Sequence, residues 1–180
     1  MCRLTSNSVD ADALRETLGN FPTGVAVVTT APQGLPPAGM TINSFHSISL
    51  RPALVGWCID RGAASFRTFS RCGAFTLSFL DENQQDTARR FATRGTDKFE
   101  GLDTSDPAGT VIPGACAWLR CRLYRQVALG DHLLLVGEVI ETGAGAGHPM
   151  VFARGRFSGV SRKPAPDSQE LVGNRAASAA

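Results

Sequence analysis

The chain has 180 residues, 43% hydrophobic and 19% charged, with a formal net charge of +2. That is the make-up of an ordinary soluble globular protein: one domain with tails, able to bury a core without disulfides. The small charge and the lack of a long basic stripe argue against nucleic acid as a partner, and no apolar run is long enough for a membrane span.

Residues 1 to 9 are polar and expected to be flexible. From Asp10 the spacing of Leu14, Leu18 and Phe21 predicts a short helix, with Gly19 near its end. FPTG then turns into the β-branched run GVAVVTT, a predicted strand over 24 to 30. APQGLPPAG is turn chemistry. GMTINSFHSISL (39 to 50) reads as one strand, followed by an Arg-Pro break and a second strand, ALVGWCI (53 to 59). A short helix over 62 to 71 and the strand GAFTLSFL (73 to 80) come next. Asp81 with Gln84 three residues on is a capping signature for a helix over roughly 82 to 92. Residues 93 to 114 form a long Gly/Pro/Asp loop, a length that in compact domains is often functional. Two long strands, ACAWLRCRLYRQVAL and HLLLVGEVIETG, meet at the hairpin signal Gly130-Asp131. MVFARGRFSGV is a last strand, and 161 to 180 has the composition of a disordered tail. About seven strands, joined by short turns, with two or three short helices predict a mainly antiparallel β-barrel rather than a doubly wound sheet.

Five cysteines (Cys2, Cys58, Cys72, Cys116, Cys121) are odd in number and lack CxxC spacing, and no secretory segment precedes them; the expectation is reduced thiols in the cytoplasm. Scattered histidines offer no metal site. No GxGxxG follows a strand, and neither a P-loop nor GxSxG occurs.

The run over 39 to 50 poses the functional question. Alternation places Met40, Ile42, Ile48 and Leu50 on one face, and Thr41, Asn43, Phe45, Ser47 and Ser49 on the other. Four small hydrogen-bonding groups around one ring suit either a half-wet sheet face or a flat polar ligand lying close to backbone.

The segments FPTGVAVVTT, GMTINSFHSISLRPALVGWCI, DENQQDTARRFATRGTDKFEG and GDHLLLVGEV, in that order, resemble the short flavin reductases, the reductase components of two-component flavin-dependent monooxygenases. The similarity covers roughly residues 10 to 160. It implies an FMN-binding split β-barrel, Greek-key and antiparallel with a few short helices, over 10 to 160. In such proteins the polar strand lines the flavin site, so the resemblance implies flavin contact by Thr41, Asn43, Ser44, Ser47 and Ser49, with Met40 and Ile42 nearby. DRGAASFRTF matches the family's phosphate anchor: Ser65 at a helix start, with Phe66 and with Arg61 or Arg67 close by, where amides, helix dipole and cation converge on an anion. By spacing alone an ordinary N-cap with a solvated arginine is the commoner reading of Ser65. The end of the ARRF helix implies Arg90 and Phe91 as further flavin contacts, beside the plain reading of an amphipathic helix.

His132, in the GDH motif, corresponds to the histidine beside the flavin where nicotinamide arrives, suited to orienting the carboxamide or protonating reduced flavin. FARGRF (Ala153, Arg154, Gly155, Arg156) matches a stretch that contacts NADH, with Arg154 and Arg156 suited to its pyrophosphate. Here the chain departs from the pattern: many relatives carry an aromatic residue at Ala153 and Asn at Ser78. Phe152 or Phe157 is the candidate replacement for the missing ring.

The resemblance implies an NAD(P)H-dependent flavin reductase. Hydride passes from NADH or NADPH to FMN or FAD, and reduced flavin goes to a separate oxygenase component. It also implies a homodimer. Two other readings fit the same barrel: an oxidoreductase that keeps FMN and acts on an organic substrate, and a non-catalytic flavin- or haem-binding module.

Overall fold

The structure, a computed structural model, describes residues 9 to 160. The two termini expected to be loose therefore lie outside the described residues, Val9 apart. Along the chain run α1 (Ala11–Leu18), β1 (Thr23–Gly24), β2 (Ala26–Thr30), β3 (Ala38–Ile42), β4 (His46–Leu50), β5 (Ala53–Asp60), α2 (Phe66–Phe69), β6 (Ala74–Phe79), α3 (Gln85–Ala92), β7 (Ala117–Leu129), β8 (His132–Ala144), β9 (Met150–Ala153) and β10 (Arg156–Gly159). The fold is mainly β with a few short helices. A seven-stranded sheet has the order β3-β2-β6-β7-β8-β5-β4, and a three-stranded sheet the order β1-β9-β10. Their ladders are antiparallel.

β2 is buried along its whole length. Its period of two sends Ala26 and Val28 into the main core with Trp57, Phe69, Phe75 and Leu135. Val27, with Val25 just ahead, faces a smaller core with Leu80, Ala88, Phe91, Ile112 and Met150. In the main core Trp57 meets Phe69 and Phe75 edge-on, with centroids 4.9 and 5.8 Å apart. Each such ring removes enough apolar surface from water for about 4–6 kcal/mol of transfer free energy as an upper bound.

The run expected as one strand over 39 to 50 is two. β3 and β4 follow each other in sequence yet form the two opposite edges of the large sheet, so the sheet has to curl and leaves its split between them. At the corner the Ser44 hydroxyl accepts from the Cys58 N–H (3.0 Å) and donates to the Cys58 carbonyl (3.3 Å), replacing the ladder where β4 leaves β5. Ile42 is buried and Met40 packs against the main core, as expected. Ile48 and Leu50 are not inward-facing: they are 46% and 90% exposed. A bulge between Ser47 and Ser49 shifts the phase of this edge strand against β5, which breaks the alternation read from the sequence.

Other boundaries moved for local reasons. α1 has its expected cap, Asp10 accepting from the Ala13 N–H at 2.9 Å. Leu14, Leu18 and Phe21, however, are 46%, 61% and 73% exposed. The helix is tied down beyond its end, by Arg154 N–H to the Gly19 carbonyl and Arg154 Nε to Asn20 Oδ1, both 2.9 Å. The helix expected over 62 to 71 contracts to the single turn α2. At α3 the Gln84 side chain does reach back to the Asp81 N–H (3.0 Å), but the helix starts one turn later than the capping pattern placed it. The Asp81 carboxylate is drawn instead to the backbone N–H groups of Asn83 (2.9 Å) and His148 (2.6 Å), which hold its pKa below the usual carboxylate range. The last expected strand is a hairpin, β9 and β10, turning on Arg154 (φ 49°) and Gly155 (φ 75°), the two positive angles of a type I′ turn.

The long loop before β7 is anchored. Arg120 pairs with Asp106 at 2.9 Å and with Glu141 at 2.7 Å, and the Ser78 hydroxyl accepts from the Ile112 N–H at 3.0 Å. The serine at 78 is thus a loop tether.

Candidate functional site

A cleft of about 620 Å³ opens between β3, the C-terminal end of α3 with the loop behind it, and the turn leading from β5 into α2. That volume lies within the range of small-molecule sites, roughly 300–1,000 Å³.

The first wall is built on β3. The Thr41 hydroxyl donates to the Ala88 carbonyl at 2.7 Å and fastens the strand to α3. At Gly39 an added Cβ would lie 2.6 Å from the Phe91 ring and 3.0 Å from Phe99, so both rings pack directly on strand backbone. The two rings meet at 5.7 Å and 87°. Lys98 closes this wall: its ammonium donates to the Phe91 carbonyl at 2.7 Å and the Gly39 carbonyl at 3.1 Å. A cation suits the carbonyl end of a helix, and burial holds this lysine's pKa below its ordinary value.

The second wall is Ala63, Ala64, Ser65 and Thr68. Ser65 stands at the N-cap of α2 but makes no side-chain cap bond; its hydroxyl reaches only the Met40 sulfur, at 3.7 Å. α2 has four residues, too few aligned peptides for an appreciable macrodipole. Of the amides, dipole and cation expected to converge at Ser65, the helix dipole is therefore slight. Arg94 stands on the opposite lip.

Next to this wall stands the Gly130-Asp131 corner. His132 lies opposite Asp60 in the β8–β5 ladder, and the Arg61 N–H donates to the Asp131 carbonyl at 3.0 Å. The corner thus abuts the chain that continues into the cleft. His132 Nδ1 lies 2.7 Å from Asp131 Oδ1. This bond fixes the ring, and it is the main reason the Asp131 carboxyl sits below the usual range.

Of the residues the sequence singled out, Met40, Thr41, Ser65 and Phe91 converge on the cleft. Ile42 is in the main core, and Phe66 packs against that core. Asn43 is exposed at the corner and Ser44 is engaged with Cys58. Ser47 is exposed on β4, and Ser49 accepts from the Arg51 N–H at 3.2 Å. Arg61 is exposed. Arg90 has its guanidinium 5.4 Å from the Phe91 ring centroid, with a buried Nε lacking a partner. Ala153 is half-buried opposite Arg156. Arg154 and Gly155 border a separate hollow with Arg15, Glu16, Gly19 and Asn20, away from the cleft. Phe152 and Phe157, both half-buried, meet at 5.3 Å with their rings tilted by 50° and pack against the smaller core. Lys98, Arg94 and Phe99 also line the cleft; in the sequence Arg94 and Lys98 belong to a basic cluster with Arg89 and Arg90, interleaved with acidic residues, that reads as a solvated helix and loop where one phosphate could be met.

Cys58, Cys72, Cys116 and Cys121 are free thiols. Burial pushes Cys72 to about 11 and Cys121 to about 12, which makes both poor nucleophiles. Among the described residues no cluster of three or more metal-ligating side chains occurs, and no helix is long and apolar enough to cross a membrane. The cleft's make-up fits a flavin: apolar side chains of Met40 and Phe99, hydroxyls of Ser65 and Thr68, and the guanidinium of Arg94.

Comparison with known proteins agrees. The model of the flavin reductase like domain matches residues 18–161. The actinorhodin polyketide dimerase of Streptomyces coelicolor is 38% identical over 154 residues, 84% of this chain and 87% of that protein. The reductase subunit HsaB of a flavin-dependent monooxygenase of Rhodococcus jostii is 34% identical over 174 residues, 93% of this chain and 89% of that protein. Among solved structures, the Streptomyces globisporus NADH:FAD oxidoreductase SgcE6, in complex with NAD and FAD fragments, superimposes with a TM-score of 0.75 at 38% identity. It covers 88% of this chain and 95% of that one.

Proposed function

Because this chain belongs to the flavin reductase-like family, we propose that its cleft receives FMN or FAD and that the protein is an NAD(P)H:flavin oxidoreductase supplying reduced flavin to a separate monooxygenase component. The observation that carries this reading is the cleft on β3, in a chain whose residues 18–161 match the flavin reductase like domain.

A flavin, when bound, accepts a hydride from a nicotinamide. The chain supplies placement and exclusion of water, with no nucleophile required. Met40 on β3 lines the cleft where a flat ring would lie. Phe99, packed on the buried Phe91 ring, gives it an apolar flank, and Thr41 and Lys98 hold that wall still. Ser65 offers a hydroxyl to the ligand. His132, fixed through Nδ1 by Asp131, is the residue suited to meeting the nicotinamide carboxamide. We assign Asn43, Ser47 and Ser49 to the mouth of the site, and Arg154 and Arg156 to the approach of the dinucleotide. The unit that does this is residues 10 to 160. We infer a homodimer as well, supported by the apolar side chains that one chain leaves exposed on β4 and α1, and a cytoplasmic location, supported by the free thiols.

The test is oxidation of NADH and NADPH by purified protein without flavin and with FMN, FAD or riboflavin. Turnover that saturates in added flavin is expected. Binding of flavin without oxidation of either nucleotide would overturn the reading in favour of a binding module. In the same assay His132→Ala should lower kcat/KM for the nicotinamide nucleotide about tenfold, the worth of roughly one hydrogen bond to a ligand. A loss that instead falls on the flavin KM would remove His132 from this role.

A further inference from the structure

Two cations line the cleft, and they are not equivalent. Lys98 is committed, giving the carbonyls of Phe91 and Gly39 close bonds of 2.7 and 3.1 Å. Arg94 is exposed, and its one contact, Nη2 to the Gly62 carbonyl, is 3.5 Å long, beyond the 2.7–3.2 Å of a good N–H···O bond. That contact joins the loop after α3 to the turn after β5, the two lips of the cleft. The acidic side chain beside it, Asp97, is turned to the Phe99 N–H at 3.0 Å and does not pair with Arg94. Arg94 is therefore a guanidinium on the rim of a ligand cleft, held by a bond that costs little to break.

Guanidinium forks match phosphate geometry and bind it with charge-assisted bonds. We propose that Arg94 is a specificity-determining residue: it leaves the Gly62 carbonyl to grip the phosphate of the ligand in the cleft, so the protein prefers phosphorylated flavins to riboflavin. This rests on the reading that the cleft takes a flavin. Lys98 does not serve this purpose, because turning to a phosphate would strip the end of α3 and the Gly39 carbonyl of their donor.

The experiment is flavin binding, followed by fluorescence quenching, for FMN, FAD and riboflavin. It compares wild-type protein with Arg94→Ala, Arg94→Lys and Arg94→Glu. For Arg94→Ala the Kd for FMN and FAD should rise at least about tenfold while riboflavin stays within about twofold. Lysine should restore part of the loss, and glutamate should deepen it. Equal weakening for all three flavins would mark Arg94 as merely structural, and no change for any of them would leave it idle; either overturns the proposal. Wild-type protein that binds none of the three flavins would overturn the underlying reading of the cleft, a result distinguishable from the other two.

Discussion

Phe91→Ala should cost about 3–5 kcal/mol of folding stability and empty one wall of the cleft. The ring is fully buried in the smaller core, stacks edge-on with Phe99 and lies against the bare backbone of Gly39. Removing it leaves a void bounded by strand and helix backbone, which cannot collapse to fill it. Lys98 still finds the carbonyl at 91, but the wall it braced has lost its mass. Urea unfolding should therefore show a lower midpoint at unchanged slope, with flavin affinity falling in parallel. A loss below about 1 kcal/mol would mean that Phe99 swings in to fill the space.

Gly109→Ala should cost about 3 kcal/mol or more, at a residue that does not itself line the cleft. Gly109 has a φ of +86°, and a Cβ built there would lie 2.5 Å from the carbonyl carbon of Thr29. Left-handed backbone strain accounts for about 1–3 kcal/mol. The collision adds to it, because Thr29 is main-chain structure between β3 and β6 and has nowhere to go. The loop would also loosen its grip at Thr29 Oγ1 to the Thr110 carbonyl (2.7 Å) and at Arg120 to Asp106. At about 2–4 °C per kcal/mol for a chain of this size, the thermal midpoint should fall by roughly 6–12 °C. Gly34→Ala is the matched control: its φ is +78° with nothing within 4 Å, so only the strain should appear. Equal losses for the two would show that Thr29 contributes nothing.

The parts of this fold that could be read from the chain are those in which one local signal decides. The β-branched alternation of GVAVVTT marked β2, and Gly130-Asp131 marked the hairpin of β7 and β8. The Asn43–Phe45 corner carries no Gly or Pro, and it is made by a serine hydroxyl bonding to Cys58 across the sheet, which periodicity does not register. The bulge in β4 likewise depends on its partner strand, so Ile48 and Leu50 were placed on the wrong face. Of the residues marked by family likeness, Met40, Thr41, Ser65 and Phe91 line the cleft. Lys98 and Arg94 read from the sequence only as part of a basic cluster on a solvated helix and loop, because their contacts exist only after folding: Lys98 meets Gly39 across 59 positions of chain, and Arg94 meets Gly62 across 32.

β2 belongs to two cores at once, with Ala26 and Val28 in one and Val27 in the other. A partition wall of this kind gives neither compartment an independent life, since fraying the strand to open one side withdraws side chains from the other. The molecule should accordingly melt as a single cooperative unit. The cleft, resting on β3 against that partition, then keeps its shape until the whole chain lets go.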